Sequence, residues 1–159
     1  MPLSQLIYSS EICLDGFPAG RPVTSELGRL LKKARRNNER ASVTGILLFS
    51  AGHFLQVLEG PSQVLNRVFQ RIARDPRHKH IEQLAFLEVS SRMFEGWQMG
   101  LLNIDEHRKL DRRMFDCFKR DVQFATSDEA ARDSVTSLLQ IFKHSLHEAD
   151  SPNVVDRAK

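Results

Sequence analysis

The stretch Val43-Thr44-Gly45-Ile46-Leu47-Leu48-Phe49-Ser50-Ala51-Gly52-His53-Phe54-Leu55-Gln56-Val57-Leu58-Glu59-Gly60-Pro61 decides the fold. Its first seven residues are apolar on both alternating faces, the pattern of a central strand covered on two sides. Ser50-Ala51-Gly52 is short enough for a hairpin turn, and His53–Glu59 returns as a second strand. Gly60-Pro61 then opens a helix, with proline at a favoured first-turn position. That helix carries an apolar stripe of Val64, Leu65, Val68, Phe69 and Ile72, and Pro76 stops it.

Upstream, Leu6-Ile7-Tyr8-Ser9-Ser10 reads as a strand. A loop with two glycines and two prolines follows at residues 15–22. Thr24 or Ser25 can cap the next helix, whose stripe is Leu27, Leu30, Leu31 and Ala34 and whose end falls near Asn37-Asn38. Arg35, Arg36 and Arg40 read as its solvated face. Downstream, residues 81–90 and 97–102 predict two more strands. Helices follow over roughly 106–118 and 127–147, the second opened by a Thr126-x-x-Glu129 capping box. The order β-α-β-β-α-β-β predicts an α/β (α+β) fold, a ferredoxin-like sheet with two helices on one face. The two additional C-terminal helices cover the other face. The domain reading is a unit over 1–103, a helical extension packed on the sheet over 104–148 and a flexible tail over 149–159.

Composition narrows the function classes. At 159 residues, 41% hydrophobic and 27% charged, the chain is one globular domain able to bury a core. It lacks the roughly 18-residue apolar run of a membrane span, and its N-terminus does not read as a secretory leader. Cys13 and Cys117 form no zinc or disulfide framework, so a cytoplasmic chain with free thiols is expected and no membrane association. A net charge of +3 is too small to argue for nucleic acid. His78-Lys79-His80 alternates two imidazoles without a recognisable third ligand, so no metal is expected. Among 12 aromatic residues, 10 are Phe, leaving single Tyr8 and Trp97.

Strand parity groups Leu6, Tyr8 and Ser10 on one face, Phe54, Gln56 and Leu58 on another, and Trp97, Met99 and Leu101 on a third. If these faces coincide, a phenol, a carboxamide, an indole and a thioether converge. Gln56 is the odd member. A buried amide without partners costs about 1–3 kcal/mol, so it needs a partner, and Tyr8 is the natural candidate. A core glutamine bonded to nearby backbone is the alternative on local grounds. Tyr8 by itself reads as a core tyrosine, and Asn37-Asn38 as a helix cap.

The chain resembles the BLUF domain, a flavin-binding blue-light sensor. The resemblance rests on Leu6–Ser10, Ala34-Arg35-Arg36-Asn37-Asn38, Val43–Phe49, Gly52–Gly60, Asp75-Pro76-Arg77-His78 and Arg92-x-Phe94-x-x-Trp97-x-Met99. These segments span about residues 3–103 in the family's order. The resemblance implies flavin held between the two helices that flank the sheet. Tyr8 matches the redox-active tyrosine and Gln56 the glutamine between it and the ring. Asn38 matches the asparagine that bonds the ring's carbonyl side, and Asn37 is its more variable neighbour. Ser10 matches a residue near the tryptophan-side network. Arg71, Asp75, Arg77 and His78 match positions near the ring edge, ribityl chain or phosphate. Phe54 and Ile72 match apolar ring contacts, and Trp97 and Met99 a mobile pair on the last strand.

By the same resemblance the ligand is FAD, although FMN or riboflavin can fill the ring site. The function implied is that of a photoreceptor without net catalysis. It signals to a downstream protein in trans through the last strand and C-terminal helices, and homo-oligomers are expected. The loop at 15–22 looks longer than the family's, and the chain resembles the short stand-alone members. A ferredoxin-like module contacting RNA is the competing class. No aromatic stacking signature supports it.

Overall fold

The structure is a computed structural model that describes residues 2–17, 19–20, 22–106, 111–147 and 154–155. In chain order the elements are β1 (Leu3–Ile12), α1 (Val23–Ala41), β2 (Thr44–Ser50), β3 (His53–Pro61), α2 (Ser62–Ala73), β4 (His78–Glu88), β5 (Gly100–Asn103), α3 (Arg112–Gln123), α4 (Asp128–His147) and a two-residue β6 (Val154–Val155). The strands form one sheet in the order β4-β1-β3-β2-β5-β6. Pairing is antiparallel throughout except between β2 and β5, which run parallel. A parallel neighbour needs a crossover, and residues 89–99 carry the chain from β4 at one edge to β5 beyond β2.

The β2–β3 hairpin closes on Ala51 and Gly52, both at positive φ (46° and 79°). That is the turn whose twist matches paired strands, and Gly52 adopts it without a Cβ penalty. The hairpin fixes Leu47 opposite Gln56, and β1 sets Tyr8 opposite Gln56 from the other side. One face of the sheet packs Leu6, Leu47 and Leu58 against Leu27 and Leu31 of α1 and Leu65 and Val68 of α2. The other face packs Ile7, Ile46, Leu48, Leu55 and Val57 against Phe115, Phe118 and Val122 of α3 and Val135 and Leu138 of α4. The ferredoxin-like α+β arrangement read from the sequence is therefore the one observed, with the second helix pair on the sheet's opposite side.

Several boundaries differ, each for a local reason. Helix α1 runs past Asn37-Asn38 to Ala41 and ends on Ser42 in left-handed geometry (φ 57°). Asn38 is held by a tertiary bond to the Gln98 carbonyl, so its side chain does not compete for local backbone. Pro22, at extended φ/ψ, occupies its N-cap, the place expected for Thr24 or Ser25. Strand β4 begins at His78, not 81, because a bulge with His80 at φ 51° keeps Lys79 and His78 paired to Glu11 and Ile12. Helix α3 starts at Arg112, not 106. Asp111 caps it by accepting the Arg113 and Met114 amides. Ser127, one residue after Thr126, accepts the Ala130 amide at the start of α4. The last strand covers Gly100–Asn103, not 97–102, so Trp97 and Met99 precede it. The tail placed at 149–159 lies outside the described residues except for Val154 and Val155, which pair with Leu102 and Leu101.

Candidate functional site

Between α1 and α2, over the sheet, lies a cavity of about 580 Å³. Its floor comes from strand residues on the face fixed by the hairpin register: Tyr8, Leu47, Phe54, Gln56 and Leu58. Its walls are Leu30, Ala34, Asn37 and Asn38 of α1, and Val68, Arg71 and Ile72 of α2. Asp75, Arg77 and His78 close the end beyond α2. The pocket is thus apolar beneath and polar at its edges, the composition of a small-molecule site.

Tyr8 is buried, and its hydroxyl donates to Gln56 Oε1. Burial in an apolar floor pushes the phenol well above the usual tyrosine range, and the nearby Asp75 charge adds to the shift. The group is therefore neutral at physiological pH. Gln56 turns its other end to Met99: Nε2 lies 3.2 Å from the sulfur. A glutamine between Leu55 and Val57 is thereby satisfied by side chains, not by neighbouring backbone. Phe69 packs against the Tyr8 ring at 5.5 Å between centroids.

Asp75 and Arg77 form a bidentate pair. Burial acts to raise the Asp75 carboxyl, but hydrogen bonds from the Arg77 side chain and amide outweigh it and hold the group below the usual range. His78 bridges Ser10 Oγ, 2.9 Å from Nδ1, and the Ile72 carbonyl. Asn38 donates to the Gln98 carbonyl at 2.7 Å. Among the described residues, Asn37 and Arg71 make no side-chain hydrogen bond or ion pair to another described residue, and both face the cavity.

The expected residues Tyr8, Asn37, Asn38, Phe54, Gln56, Arg71, Ile72, Asp75, Arg77 and His78 all line this one cavity. Ser10 reaches it only through His78, and lies away from Trp97. Parity placed Trp97 on the face of Met99, and the structure does not. Trp97 packs with Phe94, Phe115 and Val135 on the α3/α4 side, whereas Met99 packs with Tyr8 and Phe54. Parity holds only along continuous strand. A bend at Gln98, between the two residues, breaks it here.

Three contributing residues escaped the sequence reading. Arg35, grouped with the solvated face, donates to the Met99 carbonyl at 2.9 Å. Its position four residues after Leu31 and three before Asn38 marks the inward stripe of α1. Glu59 is fully buried at the far end of the strand that carries Gln56, and its isolation between Leu58 and Gly60 was the available signal. Arg92 donates to Thr44 Oγ1, the Glu59 carbonyl and the Ser42 carbonyl.

The donor set fits a planar heteroaromatic ring with polar edges: apolar side chains and the Gln56 amide below, and the amides of Asn37 and Asn38 at the rim. Lys33, Arg71, Arg74 and Arg77 add cationic groups suited to a phosphate. A ferredoxin-like sheet with such a cavity between α1 and α2 suits a planar, phosphate-bearing cofactor. A family model described as "Sensors of blue-light using FAD" matches residues 3–100, and the chain belongs to this BLUF family.

Its relatives agree. The Blue light- and temperature-regulated antirepressor BluF of Escherichia coli K12 is 34% identical over 130 residues, 80% of this chain and 31% of the relative. The Photoactivated adenylate cyclase subunit beta of Euglena gracilis is 34% identical over 93 residues, 58% of this chain and 10% of that one. Among solved structures, the dark state of the BLUF protein BlrB has 25% identity and a TM-score of 0.68, covering 91% of this chain and 97% of that one. The chain thus spans a third or less of these two curated relatives, one a light-regulated antirepressor and the other a cyclase subunit. Among the described residues, no helix is long and apolar enough to cross a membrane.

Proposed function

We propose that this chain is a cytoplasmic blue-light photoreceptor that binds FAD between α1 and α2 and signals to a partner protein without net catalysis. The observation that carries the reading is the Tyr8 hydroxyl bonded to Gln56 Oε1 at the cavity floor, with Gln56 in turn bonded to Met99. Asn37, Asn38 and Gln56 would hold the ring edge, Phe54 and Ile72 its apolar surface, and Arg71, Arg77 and His78 the chain beyond it. The rim cations Lys33, Arg71, Arg74 and Arg77 favour a phosphate-bearing flavin over riboflavin. When bound, the flavin supplies a light-generated oxidant that takes an electron and a proton and later returns both.

Tyr8 is the donor within reach of that chemistry, because its buried phenol is neutral and already hydrogen-bonded. Gln56 relays the proton and is the group that rearranges. A carboxamide has distinct donor and acceptor ends, so reversing them exchanges what Tyr8 and Met99 each meet. The lasting product is a changed hydrogen-bond pattern, a local switch of the kind that biases a larger element. The output runs from Met99 into β5 and on to α3 and α4. Residues 1–103 form the sensory unit and 104–148 its extension, and copies of the chain associate with one another.

The test is optical. Purified protein binds flavin and shifts its absorption reversibly to the red under blue light. Tyr8→Phe and Gln56→Leu each keep the flavin and lose the shift. A normal photocycle in either variant overturns these roles, and a chain that cannot be loaded with flavin overturns the whole reading. Chromatography of the released flavin separates FAD from FMN and riboflavin.

A further inference from the structure

The crossover at residues 89–99 is stitched to the sheet strand by strand. The Val89 amide donates to the Leu3 carbonyl of β1 at 2.9 Å. The Met93 and Phe94 amides donate to the Glu59 carboxylate of β3 at 2.8 and 2.9 Å. Gly45 of β2 donates to the Trp97 carbonyl at 2.8 Å. Between the last two stitches, Phe94-Glu95-Gly96-Trp97 forms a tight turn. Trp97 N–H bonds to the Phe94 carbonyl at 3.0 Å, with Gly96 at φ 80° in the position that requires positive φ.

Glu59 is the central stitch and has an all-donor environment. Its Oε1 accepts from Gln5 Nε2 at 3.0 Å and from Met93 N, and its Oε2 accepts from Phe94 N and, at 3.3 Å, from Thr44 Oγ1. Arg92 donates to Thr44 Oγ1 at 2.9 Å, which leaves the hydroxyl proton free to point to Glu59. Two donors therefore face each oxygen of a fully buried carboxylate. A glutamine of the same shape would set its NH2 against a fixed backbone donor, Met93 N–H or Phe94 N–H, whichever way it turned.

We propose that Glu59 is a positioning residue for the photoresponse: it fixes the crossover at Met93 and Phe94, so that rearrangement of Gln56 displaces only residues 95–99. This rests on the photoreceptor reading above. Strand β3 then meets the crossover twice, at the responsive end through Gln56 and Met99, and at the fixed end through Glu59. Phe94 reinforces the fixed end, being buried and packed on Trp97 with ring centroids 6.0 Å apart.

The experiment compares flavin-loaded full-length wild type with Glu59→Gln. In the variant the crossover is no longer held. Met99 confines Gln56 less, and thermal recovery from the red-shifted state accelerates about tenfold, equivalent to about 1.4 kcal/mol in the barrier. Trp97 also becomes accessible to acrylamide quenching in the dark. A residue that serves stability alone would lower the melting temperature and leave recovery unchanged, and that result overturns the assignment.

Amide exchange in wild type provides the second measurement, and it does not depend on the variant folding. Met93 and Phe94 amides stay protected in both light and dark, while exchange at Trp97, Gln98 and Met99 changes on illumination. Light-induced loss of protection at Met93 and Phe94 overturns the anchor. Wild type without a reversible red shift overturns the photoreceptor reading, and the proposal with it. A photocycling wild type beside an unchanged Glu59→Gln overturns the anchor alone.

Discussion

Gln56 donates its amide to the sulfur of Met99 across 3.2 Å, on the side of the sheet where Tyr8 lies and opposite the side that buries Trp97. Trp97 and Met99 thus have separate surroundings. Trp97→Phe is expected to reproduce the parent's light-minus-dark flavin spectrum. Met99→Leu keeps the flavin but removes the acceptor that meets Gln56, and dark recovery changes by roughly three- to tenfold. Flash spectroscopy checks both, and the reverse ranking contradicts the placement.

The phenol of Tyr8 offers a direct titration, because the chain has no other tyrosine. Its proton stays on well above the ordinary value of about 10. Below that value both folded and unfolded chains hold the proton, and stability does not depend on this group. Above it the unfolded chain releases the proton and the folded chain does not, so stability falls as pH rises from the unfolded value toward the folded one. The native protein should show no phenolate absorbance until it unfolds. The urea midpoint of wild type should drop above about pH 10, and that of Tyr8→Phe should drop less.

Asn38→Ala leaves the Gln98 carbonyl without its 2.7 Å donor. The expected loss is about 1–3 kcal/mol of unfolding free energy, together with weaker flavin retention. A urea titration of the flavin-free protein measures the first, separating it from the second. A midpoint equal to wild type contradicts the tie between α1 and the crossover.

The fold was legible where local pattern and tertiary packing agree. The doubly apolar run at 43–49 and the Ala51-Gly52 turn specify β2, β3 and their register, and that register is what sets Tyr8 beside Gln56. Legibility stopped where one side chain answers to a distant group. Asn38 looks like a cap until Gln98 is seen to need it, and Arg35 looks solvated until the Met99 carbonyl is in view. Trp97 and Met99 fall on opposite sides because alternation holds only along a continuous strand, and the chain bends between them at Gln98. The Asp111 cap was passed over, so α3 was placed six residues early.

Phe115→Ala tests how far α3 belongs to the core. The ring is 1% exposed and packs beneath Leu48 and Trp97. Truncation should cost about 3–5 kcal/mol. Calorimetry showing a loss below about 1 kcal/mol would mean that α3 lies on the sheet without completing its core.

The parallel pairing of β5 with β2 has a kinetic consequence. Four-residue β5 cannot find its place until the chain has been carried from the opposite edge beneath the ends of β1, β3 and β2, so its pairing is non-local and closes a long loop. The β2–β3 hairpin, by contrast, closes over two residues and forms early. β5 thus joins the sheet later than that hairpin. The stretch beside Gln56 is held by partners distant in sequence, and its buried residues enter the core only once the crossover has closed.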